Sequence, residues 1–487
     1  MRRSLATSVD APDTPRFSTP SDLLPYASKG PALSKTVITG AYIATVDLDL
    51  REINGGWVAV DGKRIVGIGT GEIPTDYAAF DRIDGSGCLL TPGFVNTHHH
   101  LYQWATRGIA TESTLFEWLV ELYPIWGHLD AEVTFGAAQG ALASLLLSGC
   151  TYTTDHHYVF PAEGGDCLAA EIKAAEGLGI RFHPTRGSMD LGQSKGGLPP
   201  DNVVEDRDQI LIATEDAIRR FHDTADDAMV KIAVAPCSPF SVTGELMKEA
   251  AELARRENVR LHTHLAETID EEDFCQEKFG CSPTDYVDSL GWLGSDVWMA
   301  HAIHLDDSAV AKFGKTGTGA AHCPSSNARL GSGIARVQDL VRAGAPVGLG
   351  VDGAASNENG ELLTEVRAAA LWARLKDGPT AMSSRESLTL ATRGGAKVLG
   401  REKDLGSIEV GKLADLVLWK IDDIGHIDIV DPIAALVLGP KAEVTALLVN
   451  GEVRVRHGLI TAKSHEDIAA EAARASKRLL SSAKKAG

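Results

Sequence analysis

The sequence predicts an α/β fold, a (β/α)₈ TIM-like barrel with a small β-sandwich domain built from both chain ends, on three observations. Short apolar runs alternate with helical patterns through the middle of the chain, residues of metal-binding type close several of those runs, and both flanks carry a shorter alternating pattern. A length of 487 residues with 44% hydrophobic content and 49 glycines suits one large α/β domain and a smaller one.

Residues 1–34 are rich in Ser, Thr, Pro and Asp, bury too little to order themselves, and read as a flexible N-terminal extension. Their basic start lacks an apolar core, so a secretion signal is not expected and a transit peptide is the residual alternative. Residues 35–90 alternate in short steps, as in TVITGAYIATVD and GGWVAVDGKRIVGIG with a turn at Asp61-Gly62, and form the first part of the β domain. The run GIGTGE at Gly67 to Glu72 resembles a dinucleotide loop only in its glycines, because no helical pattern follows it. From 91 to 401 the expected strands are TPGFVNTHHH, TYTTDHH, IRFHPTRG, VKIAVAPC, VRLHTH, VWMAH, GTGAAHC and VGLGVD. Helical patterns such as Ala131 to Gly149 and Thr243 to Asn258 fill the gaps, and together these make the barrel. Residues 402–463 return to the style of the first flank, with Asn450-Gly451 as a turn, and complete the β domain. The stretch 464–487 is Ala-rich with charges at helical spacing and reads as a solvated surface helix.

The net charge of −19, from 66 acidic against 47 basic residues, argues against nucleic acid or an anionic membrane as partner, but not against a small heterocycle. No run has membrane-spanning length. The seven cysteines contain no CxxC pair and suit reduced thiols in a cytoplasmic protein.

Alternate residues of a strand share a face, so His98 and His100 can aim at one point. One such pair is modest evidence, since histidines also sit in hydrogen-bonded cores. His264, His301 and Asp352 at the ends of three further strands decide for a metal, because a barrel gathers its strand ends at one mouth. His98, His100, His264 and Asp352 are the expected ligands. Such a donor set suits one Zn2+ per subunit, with Fe2+ as the alternative, and leaves room for an acidified water. Asp352 can serve as ligand and base; its competing reading is a helix N-cap for GAASNEN. His301 is expected to hydrogen-bond the attacking water. Glu267, three residues past His264, is the expected proton shuttle, with helix capping as its alternative. His99 should point away. The fourth strand begins at Lys231 and ends at Cys237-Ser238, offering no bridging lysine near the mouth, so the site is expected to be mononuclear.

PGFVNTHHHLYQ, HTHLAE, AHAIHL, HCPSSN and GLGVDGAASN together resemble the amidohydrolase superfamily in its mononuclear deaminase and chlorohydrolase branch, from about Lys35 to Ile460. The resemblance implies that activated water attacks an amidine-like ring carbon, Glu267 delivers a proton to the ring nitrogen, and ammonia leaves. TTDHHYVFP, RGSMDLGQSKGGLPPD, APCSPFSVT and FCQEKFG are similar to segments of the branch's oxidised-purine deaminases and s-triazine hydrolases. The implied substrate is an amino-substituted purine-like ring, 8-oxoguanine first, with s-triazines, isocytosine and guanine as alternatives. Some triazine dechlorinases lack the acid found here as Asp352, which favours deamination. Gln103 matches the position where guanine deaminases hold the purine amide, whereas their strand-four arginine is replaced by the PCSP stretch, which puts guanine in doubt. Trp104, His157 and Asn327 are further candidate substrate contacts, each with a structural alternative; His304 and His322 are expected to support the site from behind. The resemblance also suggests a homodimer or higher homo-oligomer. A barrel that had become a non-catalytic interaction module would have lost ligands, and none is missing.

Overall fold

The computed structural model describes residues 35–486, so the expected N-terminal extension lies outside the described residues. Eight parallel strands close into a barrel in chain order: Phe94–Asn96, Cys150–His157, Arg181–Ser188, Ala233–Pro236, Arg260–Leu265, Val297–His301, Gly319–His322 and Val347–Leu349. These are the eight runs expected from the sequence, with ends that differ, three of them extending a residue beyond the expected run at Cys150, Ser188 and Leu265. Both faces of each strand are covered, by barrel interior and by helices, which is why they read as continuous apolar segments. The expected helices appear as Ala131–Leu147, capped by the Asp130 carboxylate on Val133 N, and Gly244–Arg256, capped by the Thr243 hydroxyl on Leu246 N.

One expectation needs correcting at the barrel mouth. The first run does not continue as one strand through both histidines: the barrel strand stops at Asn96, and His99–His100 pairs with Asp352–Gly353 in a separate two-stranded ladder. The Asn96 amide fills the break, donating to Thr153 Oγ1 at 2.9 Å and accepting from Val351 N at 3.0 Å. His98, His100 and Asp352 are thereby brought together by backbone pairing beyond the barrel rim.

The two flanks form one nine-stranded mixed sheet. Its seam is the antiparallel pairing of Cys88–Pro92 with Leu416–Lys420, so residues more than three hundred positions apart share a ladder. The sheet has its own core, including Ile38, Val58, Leu90, Leu416 and Leu448. Asn450 and Gly451, at φ 50° and 76°, make the expected tight turn in the left-handed conformation. Arg181, fully buried at the start of the third barrel strand, joins sheet to barrel by donating to Asp415 Oδ1 at 3.0 Å and Asn450 Oδ1 at 2.6 Å.

The C-terminal helix, His465–Ala486, is not simply solvated. Ile468, Ala472, Ala475 and Leu479 line a buried face packed on Ala131–Leu147. The close approach needs Gly136, where a Cβ would lie 2.8 Å from Ala475 Cβ and 2.9 Å from the Glu471 carbonyl. All seven cysteines are free thiols. Among the described residues no helix is long and apolar enough to cross a membrane.

Candidate active site

His98, His100, His264 and Asp352 meet at the C-terminal mouth of the barrel. His98 Nε2 and His100 Nε2 each lie 3.3 Å from Asp352 Oδ1, and His100 Nε2 lies 3.2 Å from His264 Nε2. The distal nitrogen of every imidazole is already committed. His98 Nδ1 donates to His262 Nε2 at 2.8 Å, His100 Nδ1 to the His156 carbonyl at 2.7 Å, and His264 Nδ1 to the Cys237 carbonyl at 2.7 Å. Each lone pair on Nε2 therefore faces the common point, the orientation metal-ligating histidines adopt. His98 Nε2 is buried without a hydrogen-bond partner, as a nitrogen kept for an ion would be. Burial keeps His98 well below its ordinary pKa and pushes His100 to about 4 and His264 to about 3, so all three are neutral donors at neutral pH. Burial opposes ionisation of Asp352, but the neighbouring His98 imidazole, 3.3 Å away, and the His301 charge hold its carboxyl well below the usual range. Three neutral nitrogens and one carboxylate oxygen fit zinc.

His262 and His156 also approach His98 within the 4.8 Å expected of metal ligands. His262 is committed on both nitrogens, Nδ1 donating to the Trp298 carbonyl at 2.9 Å and Nε2 accepting from His98, so it orients His98. His156 donates from Nε2 to the Ala235 carbonyl at 2.9 Å, keeps Nδ1 without a partner, and holds His100 through its backbone carbonyl. The signal for His262 was the second His-x-His, His262 and His264, which had been read for one member only.

Glu267 lies fully buried with Oε2 3.6 Å from His301 Nε2. Burial pushes its carboxyl up to about 7, with the His301 charge pulling the other way, so near neutral pH it can both take and give a proton. Glu267 caps no helix: the helix Ile269–Phe279 has no side-chain cap bond, and Glu271 instead braces the loop, accepting from Ala266 N at 2.9 Å and Glu267 N at 3.1 Å. His301 Nδ1 donates to Asn327 Oδ1 at 3.0 Å. Burial works against the charged imidazole, yet Glu267, Asp352 and Asn327 together raise its pKa. Asp352 Oδ2 accepts from Ser326 Oγ at 2.6 Å, and the residue caps no helix, the next one beginning at Leu362. Ala266, His301, Ala302 and Asp352 all have positive φ, between 48° and 69°, a concentration of strain typical of a working site. His99 points away, its Nδ1 accepting from His100 N at 2.8 Å.

The cavity over these groups is walled by Trp118, Tyr158 and Phe240, and Gln103 lines it. Gln103 is 1% exposed, and its Oε1, packed beside Gly353, has no hydrogen-bond partner. The other candidate contacts lie elsewhere. Trp104 follows Gln103 on the 3₁₀ turn Leu101–Thr106, where successive side chains diverge. Its ring faces Gly140, carries the Arg107 guanidinium at 3.7 Å, and lines a separate cavity of about 550 Å³ beside the C-terminal helix. His157 is held behind the site by Glu171 at 2.7 Å and the Val159 carbonyl at 2.9 Å. Asn327 orients His301. His304 Nε2 donates to the Ser332 carbonyl at 2.9 Å, and His322 is buried at a different cavity.

The Amidohydrolase family model matches residues 89–454. An 8-oxoguanine deaminase from Pseudomonas aeruginosa is 46% identical over 408 residues, 83% of this chain and 90% of that protein. An isoxanthopterin deaminase from an unknown prokaryotic organism is 36% identical over 420 residues, 82% of this chain and 87% of that protein. The crystal structure of atrazine chlorohydrolase TrzN from Arthrobacter aurescens TC1, complexed with zinc, superimposes with a TM-score of 0.86 at 33% identity, covering 91% of this chain and 100% of that one. Barrel, split sheet and sequence agree, and the chain belongs to the amidohydrolase family.

Proposed function

We propose that this protein is a zinc-dependent aminohydrolase that converts 8-oxoguanine to urate and ammonia, with Fe2+ as the alternative ion. The observation that carries the reading is the pairing of a locked three-imidazole and carboxylate donor set with Glu267, a buried carboxyl poised near neutral pH. His98, His100, His264 and Asp352 hold the ion, which when bound supplies a water acidified toward neutral pH. The ionised Asp352 takes up the proton the water loses as it adds to the amino-bearing ring carbon, and His301, facing the same position, hydrogen-bonds that water. Glu267 gives its proton to the adjacent ring nitrogen. The proton held by Asp352 then goes to the departing amino group, Glu267 takes back the proton of the added hydroxyl, the C–N bond breaks, ammonia leaves, and the ring carbon becomes a carbonyl. Aromatic walls suit a flat ring, and the Gln103 amide offers both a donor and an acceptor to its edge.

The name of the Pseudomonas relative supports the oxidised purine. The likeness to TrzN supports a second reading, an s-triazine substrate with amine as leaving group. Ammonia release by the zinc-loaded protein against 8-oxoguanine, guanine, isocytosine and hydroxyatrazine, with alkylamine followed for the last, decides. Fast ammonia from 8-oxoguanine is expected. Alkylamine from the triazine with inert purines would move the substrate to the second reading and leave the chemistry standing.

A further inference from the structure

Behind the site lies a second group of ionisable side chains that the reaction does not use. Asp155 and His157 end the second barrel strand, and Glu171 sits on the helix Cys167–Leu178; all three are fully buried. A nitrogen of His157 and an oxygen from each acid lie within 4.8 Å of one another.

The bonding fixes most of the protons. His157 Nε2 lies 2.9 Å from the Val159 carbonyl, which can only accept, so Nε2 carries a proton. Nδ1 lies 2.7 Å from Glu171 Oε1. Asp155 Oδ1 accepts from Leu101 N at 2.6 Å. That leaves Asp155 Oδ2 and Glu171 Oε2, both buried and without another partner. Two ionised carboxylates facing each other away from water would each leave a desolvated acceptor unsatisfied. One proton on Asp155, shared from Oδ2 to Glu171 Oε2, satisfies both oxygens, and burial pushes the Glu171 carboxyl up as well, to about 8.

We propose that Asp155, held as a neutral carboxylic acid hydrogen-bonded to Glu171, forms with Glu171 and His157 a positioning device for the metal-ligand turn. Its reach to the site is through the backbone. Leu101, whose N–H Asp155 holds, directly follows His100, and the carbonyl of His156, between the two cluster residues, holds His100 Nδ1. Both contacts set the angle at which His100 Nε2 meets His264 and Asp352. Burial, ahead of the Glu171 charge, keeps the Asp155 carboxyl well above its usual range, in keeping with the assigned proton. The inference rests on the metal reading above for its consequence, but not for the proton itself.

The test uses the full-length zinc-loaded protein and its Asp155→Asn, Asp155→Ala and Glu171→Leu variants, with folding checked by circular dichroism. Two quantities are read: the rate of zinc release to excess chelator, and the wild-type-minus-variant infrared difference in the carbonyl region of buried carboxylic acids. Asparagine reproduces a protonated Asp, accepting from Leu101 N and donating to Glu171, so Asp155→Asn should release zinc within about twofold of wild type. Asp155→Ala and Glu171→Leu, which remove the link, should release it about tenfold faster or more, the usual effect of losing a group that orients a ligand. The difference spectrum against Asp155→Asn should show the loss of one acid component, while those of Glu267, Glu271 and Glu365 cancel. If Asp155→Ala fails to fold, the pair Asp155→Asn and Glu171→Leu, both close to the native side chains in volume, decides. Equal release from all variants, or Asp155→Asn as fast as Glu171→Leu, overturns the proposal. So does a second equivalent of metal lost on Asp155→Asn, which would make the cluster a metal site. A wild-type protein that retains no zinc sinks the metal reading and the positioning role with it, whereas a difference spectrum without that acid component in zinc-loaded protein sinks only the shared proton.

Discussion

At the scale of single residues, Glu267 separates binding from chemistry. Its carboxyl faces His301 rather than the imidazole donors, so Glu267→Gln should keep its zinc by elemental analysis while turnover falls by about a hundredfold or more. Near-normal turnover would remove Glu267 from the reaction. Gly353 is a subtler position: a Cβ there would lie 1.7 Å from Gln103 Oε1, so Gly353→Ala must push the amide out of place. The affected group is the end of a flexible side chain, so the fold should survive. Losing one well-placed hydrogen bond to substrate predicts a fall of roughly tenfold or more in kcat/KM. If the effect runs through Gln103, the double variant with Gln103→Ala should be no worse than Gln103→Ala alone; additive losses would detach Gly353 from substrate binding.

At the scale of elements, Arg181 shows how the sheet from the two chain ends is fixed to the barrel. Its guanidinium is buried, and removing it strands Asp415, also buried, with no counter-charge. Arg181→Met should therefore cost about 3–5 kcal/mol of stability, seen as a lower urea midpoint; a shift within error would mean the clamp is decorative. Neither partner was legible in the sequence, because Arg181 and Asp415 are 234 positions apart and each looks like an ordinary surface charge. The barrel strands were legible because burial on both faces leaves a continuous apolar run, and the cluster of histidines and one acid at the mouth because a barrel gathers its strand ends. What sequence spacing could not supply was direction. The Leu101–Thr106 turn sends Gln103 into the cavity and Trp104 out of it, and the Asn96 break lets His98 and His100 converge by a ladder outside the barrel. The docked face of the C-terminal helix was hidden for a related reason: two of its four buried residues are alanines, and the close approach at Ala475 depends on the glycine in a helix more than three hundred residues earlier.

At the scale of the whole molecule, the interior gathers many ionisable groups, and their shifts set a pH optimum for the metal-free protein. His98, His262 and His264 stay neutral in the fold because burial lowers them, while in the unfolded chain they titrate near the ordinary imidazole value of 6.5. Below that value the unfolded state binds more protons, so stability is lost as pH falls; above it these histidines contribute no further slope. The buried acids act in the opposite sense. Burial pushes Glu271 and Glu365 up to about 7 from the ordinary carboxyl value of 4.5, so between those limits the folded state binds more protons than the unfolded one. Stability from these groups is present at low pH and is lost as pH rises through about 7. Between 4.5 and 6.5 the two sets oppose each other, and above 6.5 only the acids remain. The growing repulsion of a chain with a net charge of −19 adds to the loss. The metal-free protein should therefore melt at lower temperature at pH 8 than at pH 6.5, and saturating zinc should raise the melting temperature at both by binding the folded state alone. A melting temperature that climbs from pH 6.5 to 8 without metal would show that the buried carboxyls are already ionised in the fold, and would remove the ground for treating Glu267 as poised near neutrality.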